Sequence, residues 1–391
     1  MYSENAIARN NLTPGPASAL FEPVRVGAIA LKHRVVMPAL SRLRAHWPTA
    51  VPSQLMLEHY GQRASDGGLI ITESTAIAPE GRAYHLAPGI WNDEQVRSWK
   101  EITDAIHAKG GLVFVQLGHA GRATSQSISG VQPVSASFDP NFMKNESIVV
   151  TTPEGLVPPS EHRALDLTEI AMIVDKYRKA AQNAWRAGFD GVEIFAAQGH
   201  LVEQFLQDGS NKRTDDYGGS FENRARFLTE IVEAVAGVIG RDRVGVRISP
   251  SSTFNGMSDS DPEGLFHHVA KRLDQARIAY LHVIEPRISG ADTIAEGQGH
   301  IAAEALSRVF RGTIIAAGGF TPETATAAVT NGDASLIAFG RHFTSNPDLP
   351  FRIERGLPLT PYDRTTFYGG GEQGYVDFPP LKGEPSNRPN E

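Results

Sequence analysis

Eight short apolar runs punctuate the chain, at 34–38, 68–73, 112–117, 191–195, 244–249, 280–284, 313–317 and 335–339. They are hydrophobic almost without alternation, which is the pattern of strands buried on both faces in a parallel sheet. Between them lie stretches with helical spacing. The clearest covers 169–187, where Ile170, Ile173, Val174, Tyr177, Ala181 and Ala184 share one side. Asp166 and Glu169 predict a capping box at its start. Thr321-Pro322 and Asn346-Pro347 each set a capping residue before a proline, and predict two late helix starts. Eight strand–helix units in 391 residues predict an α/β fold of the closed (βα)8 type, a TIM barrel, in preference to an open doubly wound sheet. The open sheet also lacks its fingerprint, a G-x-G-x-x-G after an early strand.

Two departures from a minimal barrel bear on function. Residues 21–32 read as an N-terminal capping hairpin that closes the bottom of the barrel. After the third strand, residues 119–166 form a long insertion with glycine, proline and serine scattered through it. At the C-terminal end of a barrel strand such an insertion shapes or covers an active site, or else is a plain surface loop. The chain, 1–391, reads as one domain with its core at about 20–379 and flexible termini. The proline-, lysine- and glutamate-rich stretch 379–391 reads as a mobile tail.

Composition narrows the chemistry. The chain has no cysteine, which removes disulfides, zinc–thiolate centres, iron–sulfur clusters and thiol nucleophiles together, and suits a cytoplasmic protein. A formal charge of −7 and the lack of any basic run argue against nucleic acid and anionic membranes as partners. The first 21 residues lack the basic start and apolar stretch of a signal peptide, and no apolar run is long enough to cross a bilayer. The expectation is a small-molecule substrate and a monomer or homodimer.

In a barrel, chemistry gathers at the C-terminal ends of the strands. The last two strands end in glycine, at Gly318-Gly319 and at Gly340 beside Arg341. Glycines let backbone N–H groups approach phosphate oxygens, a following helix N-terminus favours negative charge, and arginine adds a forked donor. The same glycines also suit ordinary turns. Other strand ends offer Ser41, Arg42, Ser74, Gln116, Gln198, His200 and Arg247. A buried glutamine amide donates and accepts at once, which suits a pyrimidine edge. Arg247 interrupts an apolar strand with a charge, so it needs an anionic ligand or a carboxylate of the protein. No His/Glu cluster has metal-ligand spacing and no G-x-S-x-G elbow occurs. No metal is therefore expected, and the set suits a phosphorylated cofactor better than a nucleophile.

From about Leu20 to Pro379 the chain resembles the old yellow enzyme family. The matching motifs, in order, include LFEPVRVGAIALKHRVVMP, HYGQRASDGGLIITESTAI, VQLGHAGR, DGSNKRTDDYGGSFENR, VGVRISP, YLHVIEPR, AAGGF, FGRHFTSNPDLPFRIERGLPL and FYGGGEQGYVDFP. The DGSNKRTDDYGGSFENR stretch is the most specific. The resemblance implies FMN held without a covalent bond, NAD(P)H as its reductant, and an ene-reductase-like oxidoreductase acting on an activated C=C bond. It implies that Pro38, Ala39, Leu40 and Ser41 run along the flavin ring, with Ser41 tuning its potential, and that Ser74 lies near the ring edge. Gln116 then bonds the pyrimidine, and Arg247 faces the N1–O2 end where the reduced ring gathers negative charge. Gly318, Gly319, Gly340 and Arg341 match the phosphate clamp, and Tyr375 matches an aromatic beside the substrate.

The substrate side departs from that family. After the fourth strand the family reads VEI-H-G-A-N-G-Y-L, or carries a second histidine for the asparagine. This chain reads Val192-Glu193-Ile194-Phe195-Ala196-Ala197-Gln198-Gly199-His200-Leu201. Phe195 and Gln198 replace the pair that grips the substrate carbonyl, and a phenyl ring donates nothing. His200 replaces the tyrosine that protonates the α-carbon. An imidazole titrates near ~6.5 when unperturbed, so His200 is expected to move the proton as acid or base. Gly118 stands where the family has tryptophan, which implies a larger pocket, and His119 reads as structural. The pocket then either suits a bulkier, specialised substrate or belongs to a poor ene-reductase. A base beside a flavin also allows α,β-desaturation or double-bond isomerisation. Two other readings are an FMN-binding protein with lost catalysis, and a barrel aldolase or isomerase without flavin. The last leaves Gln116 and Arg247 without a purpose.

Overall fold

The computed structural model describes residues 18–290, 292–294 and 301–381. The eight apolar runs are strands β1 (Val35–Met37), β2 (Leu69–Ile71), β3 (Leu112–Gly118), β4 (Gly191–Ala196), β5 (Val244–Ile248), β6 (Tyr280–Ile284), β7 (Thr313–Ala317) and β8 (Leu336–Ala338). Each pairs in parallel with the next, and β8 pairs with β1, so the sheet closes into the expected TIM barrel. Helices α1 (Gln54–Arg63), α2 (Asp93–His107), α3 (Leu167–Arg186), α4 (Phe221–Ile239), α5 (Pro262–Ala276), α6 (Ala303–Ser307), α7 (Pro322–Asn331) and α8 (Leu349–Glu354) follow the strands in turn. Strand burial explains the missing alternation: every residue of β4 is buried.

The hairpin before β1 pairs Val24–Val26 with Ile29–Leu31. Its Val26, Ile29 and Leu31 join Val36, Leu69, Phe114, Tyr280 and Ile315 in one buried cluster, so it plugs the barrel as the sequence predicts. Its turn requires glycine. Gly27 has φ +53°, and a Cβ there would stand 2.0 Å from the Asp242 carbonyl oxygen.

The capping box of α3 forms, with Asp166 and Glu169 each accepting the other's backbone N–H. Thr321 caps α7 as expected. The start predicted at Asn346-Pro347 is displaced. Asn346 ends the preceding helix Gly340–Ser345, and α8 begins at Leu349 after Asp348. The Asn346 side chain is used elsewhere, donating to the His342 and Thr360 carbonyls at 2.8 and 3.0 Å. Residues 1–17 and most of the expected tail, 382–391, lie outside the described residues.

The 119–166 insertion contains the helix Gln126–Ser129 and the antiparallel pair Val150–Thr152 and Gly155–Val157. It braces the connection between β2 and α2. Thr124 Oγ1 donates to the Arg82 carbonyl at 2.8 Å, and the His85 N–H donates to the Thr151 carbonyl at 3.2 Å. Those two contacts flank Tyr84.

Candidate active site

The strand ends place most of the expected residues around the barrel mouth. Pro38 and Leu40, just past β1, pack against Gly340 at the end of β8: a Cβ on Gly340 would lie 3.2 Å from Leu40 and 3.7 Å from Pro38. Arg247 on β5 reaches across to β1 and donates from Nη1 to the Ala39 carbonyl at 3.1 Å. Its Nε is buried without a partner, and it forms no ion pair among the described residues. Of the two readings for this charge, no carboxylate among the described residues pairs with it. Burial lowers its pKa, opposed by Glu193 and Tyr280.

Gln116 is buried on β3 and donates from Nε2 to Glu193 Oε1 at 2.7 Å. The other Glu193 oxygen accepts from His282 Nδ1 at 2.8 Å. Burial pushes the Glu193 carboxyl up, but His282, Arg247 and Gln116 together hold it below its ordinary value. The interior therefore carries a carboxylate opposite Gln116, which was not foreseen. The signal was present in the sequence, since Glu193 interrupts an apolar strand just as Arg247 does.

At the β7 end, Gly318 and Gly319 have φ +139° and +65°. A Cβ on Gly318 would stand 2.7 Å from Ile288, so only glycine leaves the backbone open there. Arg341, after β8, donates to Thr293 Oγ1 at 2.8 Å.

A small cavity brings Ser41, after β1, and Ser74, after β2, together with Tyr84 and His200. Ala76, Gly81, Ala83 and Ala87 complete its wall. Tyr84 is the residue missed from the sequence. Nothing local marks it, because its connection is held over the mouth by distant segments, the insertion on one side and the stretch after β1 on the other, where Ala45 N–H donates to the Leu86 carbonyl at 3.0 Å. Its hydroxyl has no hydrogen-bond partner among the described residues, and burial pushes its pKa up to about 12.

His200 differs from expectation in its charge. Burial pushes its pKa down to about 4, so the titration expected near neutrality does not arise in this environment. Its Nδ1 lies 3.3 Å from the Gln198 carbonyl, which can only accept, so the ring proton sits on Nδ1 and Nε2 is left as a bare acceptor. Asn255 Nδ2 holds the same carbonyl at 2.9 Å. Gln198 itself is left-handed, with φ +55°. Its Oε1 accepts the Gly290 N–H at 3.0 Å, while its buried Nε2 has no partner among the described residues. Below this loop, Glu203 accepts from the Gly199 N–H and from Ser249 Oγ, at 2.6 and 2.7 Å. Burial raises its pKa to about 8.

Two pocket expectations are corrected. The space at Gly118 is filled, since a side chain there would meet Ser74 Oγ at 2.6 Å and the Phe195 ring at 3.6 Å. Phe195 in turn packs on His200, ring centres 4.4 Å apart. Tyr375 does not line the cavity. It is fully buried, stacked on His59 at 3.9 Å, with the Arg44 guanidinium 4.4 Å from its ring. Arg42 holds this C-terminal segment down through the Phe367 and Gly374 carbonyls, at 2.8 and 2.7 Å, and carries Tyr375 beneath the surface.

The donor set fits a flavin mononucleotide on the structure's own terms. It offers a guanidinium with an orphaned Nε and no ion pair among the described residues, an oriented Gln116 amide, and the positive-φ glycines Gly318 and Gly319 at the end of β7. Comparison with known proteins agrees. Residues 19–360 match the NADH:flavin oxidoreductase / NADH oxidase family. The chain is 43% identical to 12-oxophytodienoate reductase 7 of Oryza sativa subsp. japonica, over 94% of this chain and 96% of that one. It is 41% identical to flavin oxidoreductase hxnT of Emericella nidulans, over 93% and 98%. Among solved structures it is similar to morphinone reductase in complex with tetrahydroNAD, with TM-score 0.85, 44% identity, and 93% and 98% of the two chains covered. The old yellow enzyme homologue from Zymomonas mobilis gives TM-score 0.86 and 41% identity, over 93% and 99%.

Proposed function

This chain belongs to the NADH:flavin oxidoreductase family and is an FMN-dependent enzyme of the old yellow enzyme type that takes electrons from NAD(P)H, and from that premise we propose that it reduces the C=C bond of an electron-poor alkene whose proton comes from Tyr84. The observation that carries this reading is the cavity in which Ser41 and Ser74 meet Tyr84 and His200.

When bound, FMN would supply the hydride for the β-carbon. Arg247 and Gln116 would hold the pyrimidine end of the ring, and Gly318, Gly319, Gly340 and Arg341 would hold the phosphate. Tyr84, a neutral phenol with an uncommitted hydroxyl, gives its proton to the α-carbon and regains one from solvent. His200 stays uncharged and offers Nε2 as an acceptor to the substrate. Phe195 removes one donor of the usual carbonyl clamp, while the orphaned Gln198 Nε2 remains as a donor. The pocket therefore favours substrates that bring a donor of their own to His200. A second reading, α,β-desaturation or double-bond isomerisation, is favoured by the same bare Nε2, which is the base form of the imidazole.

The test is rapid-mixing reduction by NADH and NADPH in turn, followed by reoxidation with N-ethylmaleimide and product analysis. A chain without cysteine makes the maleimide usable as a substrate. Succinimide product is expected, and Tyr84→Phe should slow reoxidation while leaving reduction intact. Reoxidation by no activated alkene, or an unaffected Tyr84→Phe, overturns the reading.

A further inference from the structure

One layer below the strand ends, the barrel interior holds a connected polar set drawn from four adjacent strands. Glu193 on β4 stands opposite Gln116 on β3 and Gly245 on β5. Arg247 stands opposite His282 on β6. Glu193 and His282 are wholly buried, and a carboxylate survives there only when its oxygens are matched. Each oxygen has one match: Gln116 Nε2 at 2.7 Å and His282 Nδ1 at 2.8 Å. Two consequences follow. The Gln116 amide cannot rotate, because its nitrogen is committed to Glu193 and its oxygen must face elsewhere. The Arg247 guanidinium and the Glu193 carboxylate share one dry interior without pairing, so each acts on whatever charge enters between them.

We propose that Glu193 is a positioning residue for the flavin: it fixes the face that Gln116 presents to the ring and offsets part of the Arg247 charge, and so sets the cofactor's potential. The inference rests on the reading that Gln116 and Arg247 contact the pyrimidine end. Negative charge gained there on reduction is stabilised by Arg247 and opposed by Glu193. Removing the carboxylate charge while keeping its shape must then favour the reduced form. Glu193→Gln does so with little disturbance. Its amide oxygen still accepts from Gln116, and its nitrogen donates to His282 Nδ1 once the imidazole proton moves to Nε2, which has no partner among the described residues.

The measurement is the midpoint potential of the FMN holoenzyme by dye-linked reductive titration. Glu193→Gln should raise it by about 30 mV or more, a tenfold gain in binding of reduced over oxidised FMN for a two-electron couple. Arg247→Met, in the same titration, should lower it. If Arg247→Met lowers the potential and Glu193→Gln leaves it unmoved or lowers it, the flavin placement stands and the role of Glu193 is overturned. If Arg247→Met has no effect, the placement itself falls. Should Glu193→Gln not accumulate, Glu193→Asp keeps the charge but withdraws it from Gln116. FMN should then bind at least tenfold more weakly at an unchanged potential, and unchanged FMN affinity overturns the proposal.

Discussion

The state of His200 decides what kind of proton chemistry the pocket performs. Its imidazole falls from an ordinary 6.5 to about 4, because burial penalises the cation and only the Gln198 and Ala197 backbone oppose it. At ~1.36 kcal/mol per pKa unit, protonating it in place costs about 3 kcal/mol more than in water. At pH 7 about one molecule in a thousand then carries imidazolium, which forfeits most of the ~10²–10⁴ that a general acid contributes. The rate at which N-ethylmaleimide reoxidises the reduced enzyme should accordingly stay level between pH 6 and 8. His200→Phe should weaken substrate binding, with no change in the shape of the pH profile. The sign of the stability linkage agrees. With a folded pKa below the unfolded one, the group favours folding above about pH 6.5, and that contribution is lost as pH falls toward 4. A rate limb with its midpoint between pH 6 and 7 that vanishes in His200→Phe would refute this reasoning. It would mean that the occupied site restores the charge and that His200 is the acid after all.

Three further outcomes follow from the same geometry. Arg341→Ala should weaken FMN retention by about ten- to hundredfold, the worth of a charge-assisted bond of roughly 1.5–3 kcal/mol, as measured by flavin release on dilution; unchanged retention would move the phosphate elsewhere. Para-substituted phenols should give only a faint charge-transfer band, because Phe195 donates nothing to a phenolate oxygen and His200 Nε2 accepts, so a bound phenol keeps its proton; a strong band at low phenol concentration counts against the polarity assigned to the pocket. Gly245→Ala should destabilise the barrel by about 3 kcal/mol, near the upper end of overpacking costs, because its Cβ would stand 2.1 Å from the Tyr280 ring; a lowered denaturation midpoint with an unchanged slope is the expected signature.

The barrel was legible because its rule is local. A strand buried on both faces writes a continuous apolar run whatever its partners are, and all eight runs became strands. The Asn346-Pro347 start failed for the opposite reason. Asparagine caps only when its Oδ1 is free to accept, and here the Thr360 N–H, from a later segment, donates to that oxygen at 2.7 Å. The most specific string, DGSNKRTDDYGGSFENR, proved to be scaffolding. Asn211 Nδ2 donates to the Phe205 and Tyr217 carbonyls at 2.6 and 2.7 Å, and Arg224 pairs with Asp259 in the interior. A distinctive motif thus measures how tightly a stretch is constrained, and that need not be by chemistry.

The roles of site residues were the least legible part, since polarity belongs to an environment more than to a residue type. Histidine in a tyrosine's position suggests a proton donor of more convenient pKa. The environment reverses that. The Gln198 carbonyl, held by an asparagine 57 residues further along the chain, accepts from Nδ1–H and keeps the proton there, and burial forbids a second one. The imidazole at this position is an acceptor, although its residue type suggested an acid. The same logic applies at Glu193, whose matches come from Gln116 on the neighbouring β3 and His282 on β6, two strands away. Neither partner is close in sequence, so its ionisation could not be read from the strand that carries it. If reduction is the reaction, the proton must come from a group that still holds one at neutral pH, and of the two ionisable groups lining the cavity, Tyr84 and His200, Tyr84 alone meets that condition.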